Sequence, residues 1–160
     1  MSKRKLNFID IFSGCGGIAQ GFVDANYDFL IGVDNDKPSL ETLKYNFPKV
    51  IPINCDLSSE KSLNEIIKAI PDSQLNLFQP SKEKSVDVIV GGPPCQGFSL
   101  TGPRKFDDPR NKLYLSFINL INKVRPKAFV VENVPGIKSL YNGEIFEEII
   151  KRYEKTKHRI

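Results

Sequence analysis

The feature that most constrains this chain is a regular alternation of short β-prone runs with segments of helical spacing. Leu6–Ile11 reads as a strand, followed by a glycine-rich turn and a helix from about Ile18 to Ala25. Phe29–Val33 is the second strand, Leu40–Phe47 falls on the next helix, and Val50–Ile53 is the third strand. Leu63, Ile66, Ile67 and Ile70 share one face of an amphipathic helix. Val86–Val90 reads as a continuous apolar run, as expected of a strand buried on both faces. Leu113–Val124 carries apolar residues at helical spacing, Ala128–Val131 is a fifth strand, and Ile145, Ile149, Ile150 and Tyr153 define a last helix. Strands that alternate with helices build βαβ units, so the expected class is α/β with a doubly wound, mostly parallel sheet. Pro71–Ser85 is polar and aperiodic and reads as a surface loop or insertion. A chain of 160 residues holds one domain with a real core, so residues 1–160 are taken as a single domain.

Composition narrows the partners. With 40% hydrophobic and 26% charged residues the chain reads as globular rather than disordered. Its net charge of +4 permits nucleic acid as a partner without requiring it. The basic residues near the ends, Lys3-Arg4-Lys5 and Lys151-Arg152 with Lys155, Lys157 and Arg159, read as solvated tails. Three cysteines far apart, with no C-x-x-C pair, argue against a disulfide framework or a metal site. The first apolar stretch is too short and too polar for a signal peptide or a membrane span, so the expected location is cytoplasmic.

In an open α/β sheet, ligands gather at the carboxyl ends of the strands, and the polar and glycine-rich residues fall there. Asp10–Gly17, D-I-F-S-G-C-G-G, places small residues between a strand and a helix, where glycine allows close backbone approach. By itself it suits a bare turn as well as a ligand site, and its departure from G-x-G-x-x-G speaks against a dinucleotide. Asp34 ends the second strand, where an acidic residue can accept bonds from both ribose hydroxyls; Asp36 follows on the same loop. Asp56 either bonds an adenine amino group or caps the next helix. Together these three loops suggest an adenosyl ligand.

The fourth loop, Gly91–Ser99, presents Cys95 between prolines and glycine. Most lone cysteines are inert packing residues, but a polar, restricted loop at a strand end suits a thiolate nucleophile. Glu132-Asn133-Val134 ends the fifth strand, next to the fourth, which would set a carboxyl beside that thiol.

The segments D-I-F-S-G-C-G-G, V-D-N-D, C-D-L, G-G-P-P-C-Q-G-F-S, R-N-K-L and V-V-E-N-V, in this order over nearly the whole chain, resemble the cytosine-C5 DNA methyltransferases. The resemblance implies a Rossmann-like S-adenosylmethionine-dependent methyltransferase fold, incomplete at its C-terminus, with S-adenosyl-L-methionine as cofactor. Cys95 would attack C6 of the target cytosine. Glu132 would stabilise charge at N3 while C5 takes the methyl group. The base must first leave the duplex stack. Phe12 is similar to an aromatic residue that packs on adenine, although plain core packing suits it too. Gly14, Gly16 and Gly17 would admit the methionine part, and Asp34 would hold the ribose. Asp56 and Leu57 would lie by the adenine, with Pro93 and Leu113 as further cofactor contacts; Leu113 equally suits a core-facing first helical turn. Pro94, Gln96, Ser99, Thr101, Arg104, Lys105 and Asn133 fall to the substrate, with Arg104 and Lys105 either contacting phosphates or simply solvated.

The family continues with a Gln-x-Arg-x-Arg segment, a target-recognition domain and a C-terminal segment that returns to the cofactor pocket. None of these is in the sequence, and His158-Arg159-Ile160 falls about where the next strand would begin. The expectation is a fragment, a truncated gene product or one part of a split enzyme from a restriction-modification system. Its partners would be double-stranded DNA, through a flipped cytosine, and a second chain carrying target recognition. Two rivals stand beside this reading: a tRNA cytosine-C5 methyltransferase, and a non-catalytic module that binds S-adenosylmethionine. A Rossmann oxidoreductase would leave Cys95 and Glu132 without a role.

Overall fold

Five strands form one parallel sheet in the order β3-β2-β1-β4-β5. The computed structural model describes residues 4–71, 86–94, 112–156 and 158. The strands are β1 (Asn7–Ile11), β2 (Asp28–Asp34), β3 (Ile51–Asn54), β4 (Val88–Gly91) and β5 (Ala128–Val131). The helices are α1 (Gly17–Asp24), α2 (Lys37–Asn46), α3 (Glu60–Ala69), α4 (Lys112–Val124) and α5 (Glu144–Glu154). The expected elements are all present, with ends shifted by a few residues. Two short 3-10 turns, Pro135–Lys138 and Leu140–Gly143, also lie between β5 and α5. Most of the Pro71–Ser85 loop falls outside the described residues.

Side-chain alternation along the strands explains the layers. Ile9, Ile11, Ile31, Val33 and Ile89 pack with Leu63, Ile66, Phe117, Leu120, Ile149 and Tyr153, so α3, α4 and α5 cover one face. Phe8, Val88 and Val90 meet Ala19 of α1, while Leu40 and Leu43 of α2 meet Val50, so α1 and α2 serve the other face. Phe8 stacks on Phe29 with ring centroids 4.7 Å apart, joining β1 to β2 on that side. Local chemistry starts the helices where the pattern needs them. The Asp36 carboxylate caps α2 by accepting from Ser39 N at 2.9 Å, and Ser59 Oγ caps α3 by accepting from Ser62 N at 3.1 Å.

The run Val86–Val90 is not wholly apolar. Asp87 is 1% exposed and forms an anchor at the amino end of the sheet. Its Oδ1 receives Arg4 at 2.8 Å and Lys127 at 2.6 Å, and its Oδ2 accepts from Asn7 N at 2.9 Å. Asn7 Oδ1 in return accepts from Asp87 N at 2.8 Å. Arg4 is therefore paired, where sequence had suggested a free tail. Burial alone would raise the Asp87 carboxyl, but Lys127, the Asn7 N–H and Arg4 outweigh it and hold the carboxyl below its ordinary range.

Candidate active site

The chain reverses direction across the sheet between β1 and β4: β2 and β3 lie on one side of β1, β4 and β5 on the other. A crevice at such a switch point, outside the carboxyl ends of the strands, is where open α/β sheets bind ligands. The glycine-rich turn after β1 and Gly92-Pro93-Pro94 after β4 flank that crevice.

The turn after β1 is held from below and from the side. Phe12, Gly14 and Gly16 all take positive φ, at 64°, 50° and 99°. Ser13 N donates to Val33 O at 3.0 Å and Gly16 N to Ser13 O at 2.9 Å. Gly14 N donates to Asp34 Oδ2 at 2.8 Å, while Asp34 Oδ1 accepts from Asp36 N at 2.9 Å. Asp34 thus joins the ends of β1 and β2, and each of its oxygens retains acceptor capacity for a ligand hydroxyl. A Cβ at Gly14 or Gly17 would meet nothing within 4 Å, so the turn is open above those two residues. Gly16 differs, because a Cβ there would lie 2.5 Å from Phe47 Cε2 and 2.8 Å from Leu43 Cδ1. Its work is to let α1 close on α2.

The remaining cofactor candidates divide. Phe12 is half-buried and packs on the core of the α3–α5 face. Asp56 is exposed, and the bonds it accepts from Ser58 hold its carboxyl below the ordinary range. The α3 cap is Ser59, so Asp56 is not tied up as a helix cap. Leu57 is 4% exposed inside the core, which leaves only its backbone to face a ligand. Leu113 is half-buried against the same core, in line with a first helical turn that packs inward.

At the end of β4, Pro93 is buried and Pro94 exposed. Glu132 follows β5, its N donating to Gly91 O at 2.9 Å, and its carboxyl is exposed at the crevice. Glu132 Oε2 stands 3.0 Å from where a Cβ on Gly92 would be, so the missing side chain makes room for the carboxylate. Asn133, a candidate for the substrate, donates from its Nδ2 to Pro93 O at 3.0 Å, and its Oδ1 accepts from Val134 N at 2.9 Å. It ties the loop after β4 to the end of β5. Cys95, Gln96, Ser99, Thr101, Arg104 and Lys105 lie outside the described residues. Among those described, no three metal-ligating side chains are grouped to hold an ion, and no helix is long and apolar enough to cross a membrane.

One residue at the site went unassigned in the sequence reading. Asp10 is 0% exposed, and neither of its carboxyl oxygens has a hydrogen-bond partner among the described residues. Burial pushes its pKa up from 3.8 to about 7, against a lowering contribution from the Ala19 N–H and with a further rise from Asp34. The signal was in view: a lone acid inside an otherwise apolar strand, F-I-D-I-F.

A parallel sheet in this order, with the glycine turn after β1 and the loop after β4 at its switch point, defines an α/β protein of the doubly wound class. The particular family follows from comparison: residues 6–159 match the C-5 cytosine-specific DNA methylases, and the chain belongs to that family. It is 36% identical over 146 residues to Type II methyltransferase M.AgeI of Thalassovita gelatinovora, covering 91% of this chain and 32% of that protein. Against Type II methyltransferase M1.HphI of Haemophilus parahaemolyticus it is 34% identical over 158 residues, covering 97% of this chain and 39% of the relative. A solved Escherichia coli prophage protein, described as a DNA modification methyltransferase, superposes with a TM-score of 0.70 at 32% identity. That superposition covers 94% of this chain and 38% of the other. The chain therefore spans between 32% and 39% of the length of these relatives.

Proposed function

We propose that this chain is the cofactor-binding and catalytic portion of a DNA cytosine-C5 methyltransferase of a restriction-modification system, and that S-adenosyl-L-methionine is its cofactor. The observation that carries the reading is the meeting, at one switch point, of an open glycine turn braced by Asp34 with the Glu132 carboxylate and the loop that leads to Cys95. The residues present fit the cofactor. The turn is open above Gly14 and Gly17, Asp34 has acceptor capacity for the ribose, and an exposed Asp56 can take an adenine amino group. When bound, S-adenosylmethionine supplies an electrophilic methyl group on a sulfonium.

The chain's own residues supply the rest. Cys95 acts as the thiolate that adds to C6 of cytosine, which turns C5 into a nucleophile. Glu132 serves N3 and the exocyclic amine of the base. Gly92 leaves room for its carboxylate, and the bond from its own N–H to Gly91 O fixes its backbone. Asn133 fixes the spacing of the two loops through Pro93 O. In this reading Gln96, Ser99 and Thr101 serve the base or its strand, and Arg104 and Lys105 its phosphates. Residues 1–160 form one domain, and target recognition comes from a further region of the enzyme, on the same chain or a second one. The double-stranded DNA substrate and the cytoplasmic location belong to the same reading.

Calorimetry with S-adenosylmethionine tests the cofactor site. Replacing Asp34 with Ala removes a charged partner and should weaken binding by about 1–3 kcal/mol. Unchanged binding would mean that the ribose is held elsewhere.

A further inference from the structure

Asp10 is a buried carboxyl that the fold does not use. It points to the α1 face of the sheet, where its register neighbours are Gly32 on β2 and Val90 on β4. Neither offers a donor side chain. The hydroxyl of Ser13 is directed at Val33 O at 3.4 Å, and Leu43 and Phe29 fill the space beside Gly32. From α1 the Ala19 N–H faces it, at a helix start with no side-chain cap and no acidic residue in the first turn. The charged group that raises it further is itself an acid, Asp34 at the end of β2. Glu132, beyond β5, has its Oε2 by Gly92. β4 contributes only Val88, Ile89, Val90 and Gly91. A buried carboxylate with no cation beside it among the described residues, and only the Ala19 N–H turned towards it, is expensive, and β1 leads from it into the turn assigned to the cofactor.

We propose that Asp10 is a positioning residue that carries a proton in the free chain and loses it to solvent when the cationic methyl donor seats in the glycine turn above. This rests on the cofactor reading given above. Methyl donor and demethylated product share the same amino-acid zwitterion and differ by the sulfonium charge. On donor binding the carboxyl O–H ionises, its proton goes to solvent, and the sulfonium balances the new charge. Once the methyl group has left, the sulfur is a neutral thioether, and Asp10 regains a proton from solvent. The chain would in this way favour charged donor over neutral product at alkaline pH, with no side chain touching the sulfur.

Because donor binding selects the ionised form, the apparent affinity scales with the fraction of Asp10 that is ionised. For a carboxyl titrating at about 7, that fraction changes about tenfold between pH 6 and pH 8. The test is carried out on the full chain. Carbon-13 NMR of the aspartate carboxyls, assigned with Asp10→Asn, should show Asp10 titrating near neutrality in the free chain. Calorimetry should find S-adenosylmethionine binding about tenfold weaker at pH 6 than at pH 8, with proton release read from buffers of different ionisation heat. S-adenosylhomocysteine should show a smaller pH dependence, and Asp10→Asn, a neutral isostere, should lose the difference between the ligands. Titration of free-chain Asp10 in the ordinary carboxylate range overturns the proposal, as does an equal pH dependence for both ligands. Binding of neither ligand at either pH removes the cofactor reading and this proposal together.

Discussion

Asp10→Asn should make the free chain more stable, and increasingly so as pH rises. The carboxyl is fully buried, has no hydrogen-bond partner among the described residues, and has its folded-state pKa raised from 3.8 to about 7. A raised pKa means that the folded state holds the proton more tightly than the unfolded chain does. The associated stability is fully present below about pH 4 and is lost as pH rises through about 7. About 3 pH units at 1.36 kcal/mol each give a total penalty on the order of 4 kcal/mol above neutrality, a large share of the roughly 5–15 kcal/mol that holds a domain folded. Between pH 5 and pH 8 the linkage predicts that the wild-type chain loses about 2–3 kcal/mol relative to the Asn variant. Urea unfolding of both proteins at the two pH values measures that double difference. With an m-value of about 2 kcal/mol/M, the gap between midpoints should widen by about 1 M. A gap that stays constant, or that closes as pH rises, would show that the carboxylate has donors and would refute the reasoning.

Two other perturbations follow from the geometry. Asp87 gives the opposite slope: its depressed pKa contributes stability present above its unfolded value and lost as pH falls through the folded one. Asp87→Ala, which also strands the Asn7 N–H, should cost about 2–3 kcal/mol at neutral pH and less in strong acid, where only the charge-dependent part of that cost is lost, measured by denaturant melts. Gly16→Ala combines positive φ with a collision at Phe47 and should cost about 2–4 kcal/mol in the same melts. Gly14→Ala meets no atom and should cost only about 1 kcal/mol.

Periodicity made the sheet legible, because strands such as Ile9–Ile11 and Val88–Val90 bury both faces and helices such as α3 bury one. The pairing of β5 with β4, which brings Glu132 to the loop after β4, followed from the βαβ order alone. Contacts between residues distant in sequence were not legible. Asp87 lay hidden in an apolar run and Arg4 in a solvated tail, since nothing local shows that they meet each other and Lys127. The bond from Asn133 to Pro93 O spans 40 residues and leaves no local mark. The closeness of Gly16 to Phe47, at the end of α2, was equally hidden. Asp10 passed as part of the glycine segment because its burial depends on α1 folding back over β1.

The central claim is that Cys95 is the nucleophile of a cytosine-C5 methyl transfer, and its most direct test is covalent trapping. DNA containing 5-fluorocytosine is incubated with S-adenosylmethionine and the chain, supplied with the region of the enzyme that recognises DNA. The C5 fluorine cannot leave as a proton does, so the Cys95–C6 bond should persist as a denaturant-stable adduct. Cys15→Ala and Cys55→Ala should retain the adduct, and Cys95→Ala should abolish it. The 160-residue chain without that further region should give no site-specific adduct, because phosphate attraction carries no sequence information. An adduct that survives in Cys95→Ala would contradict the account.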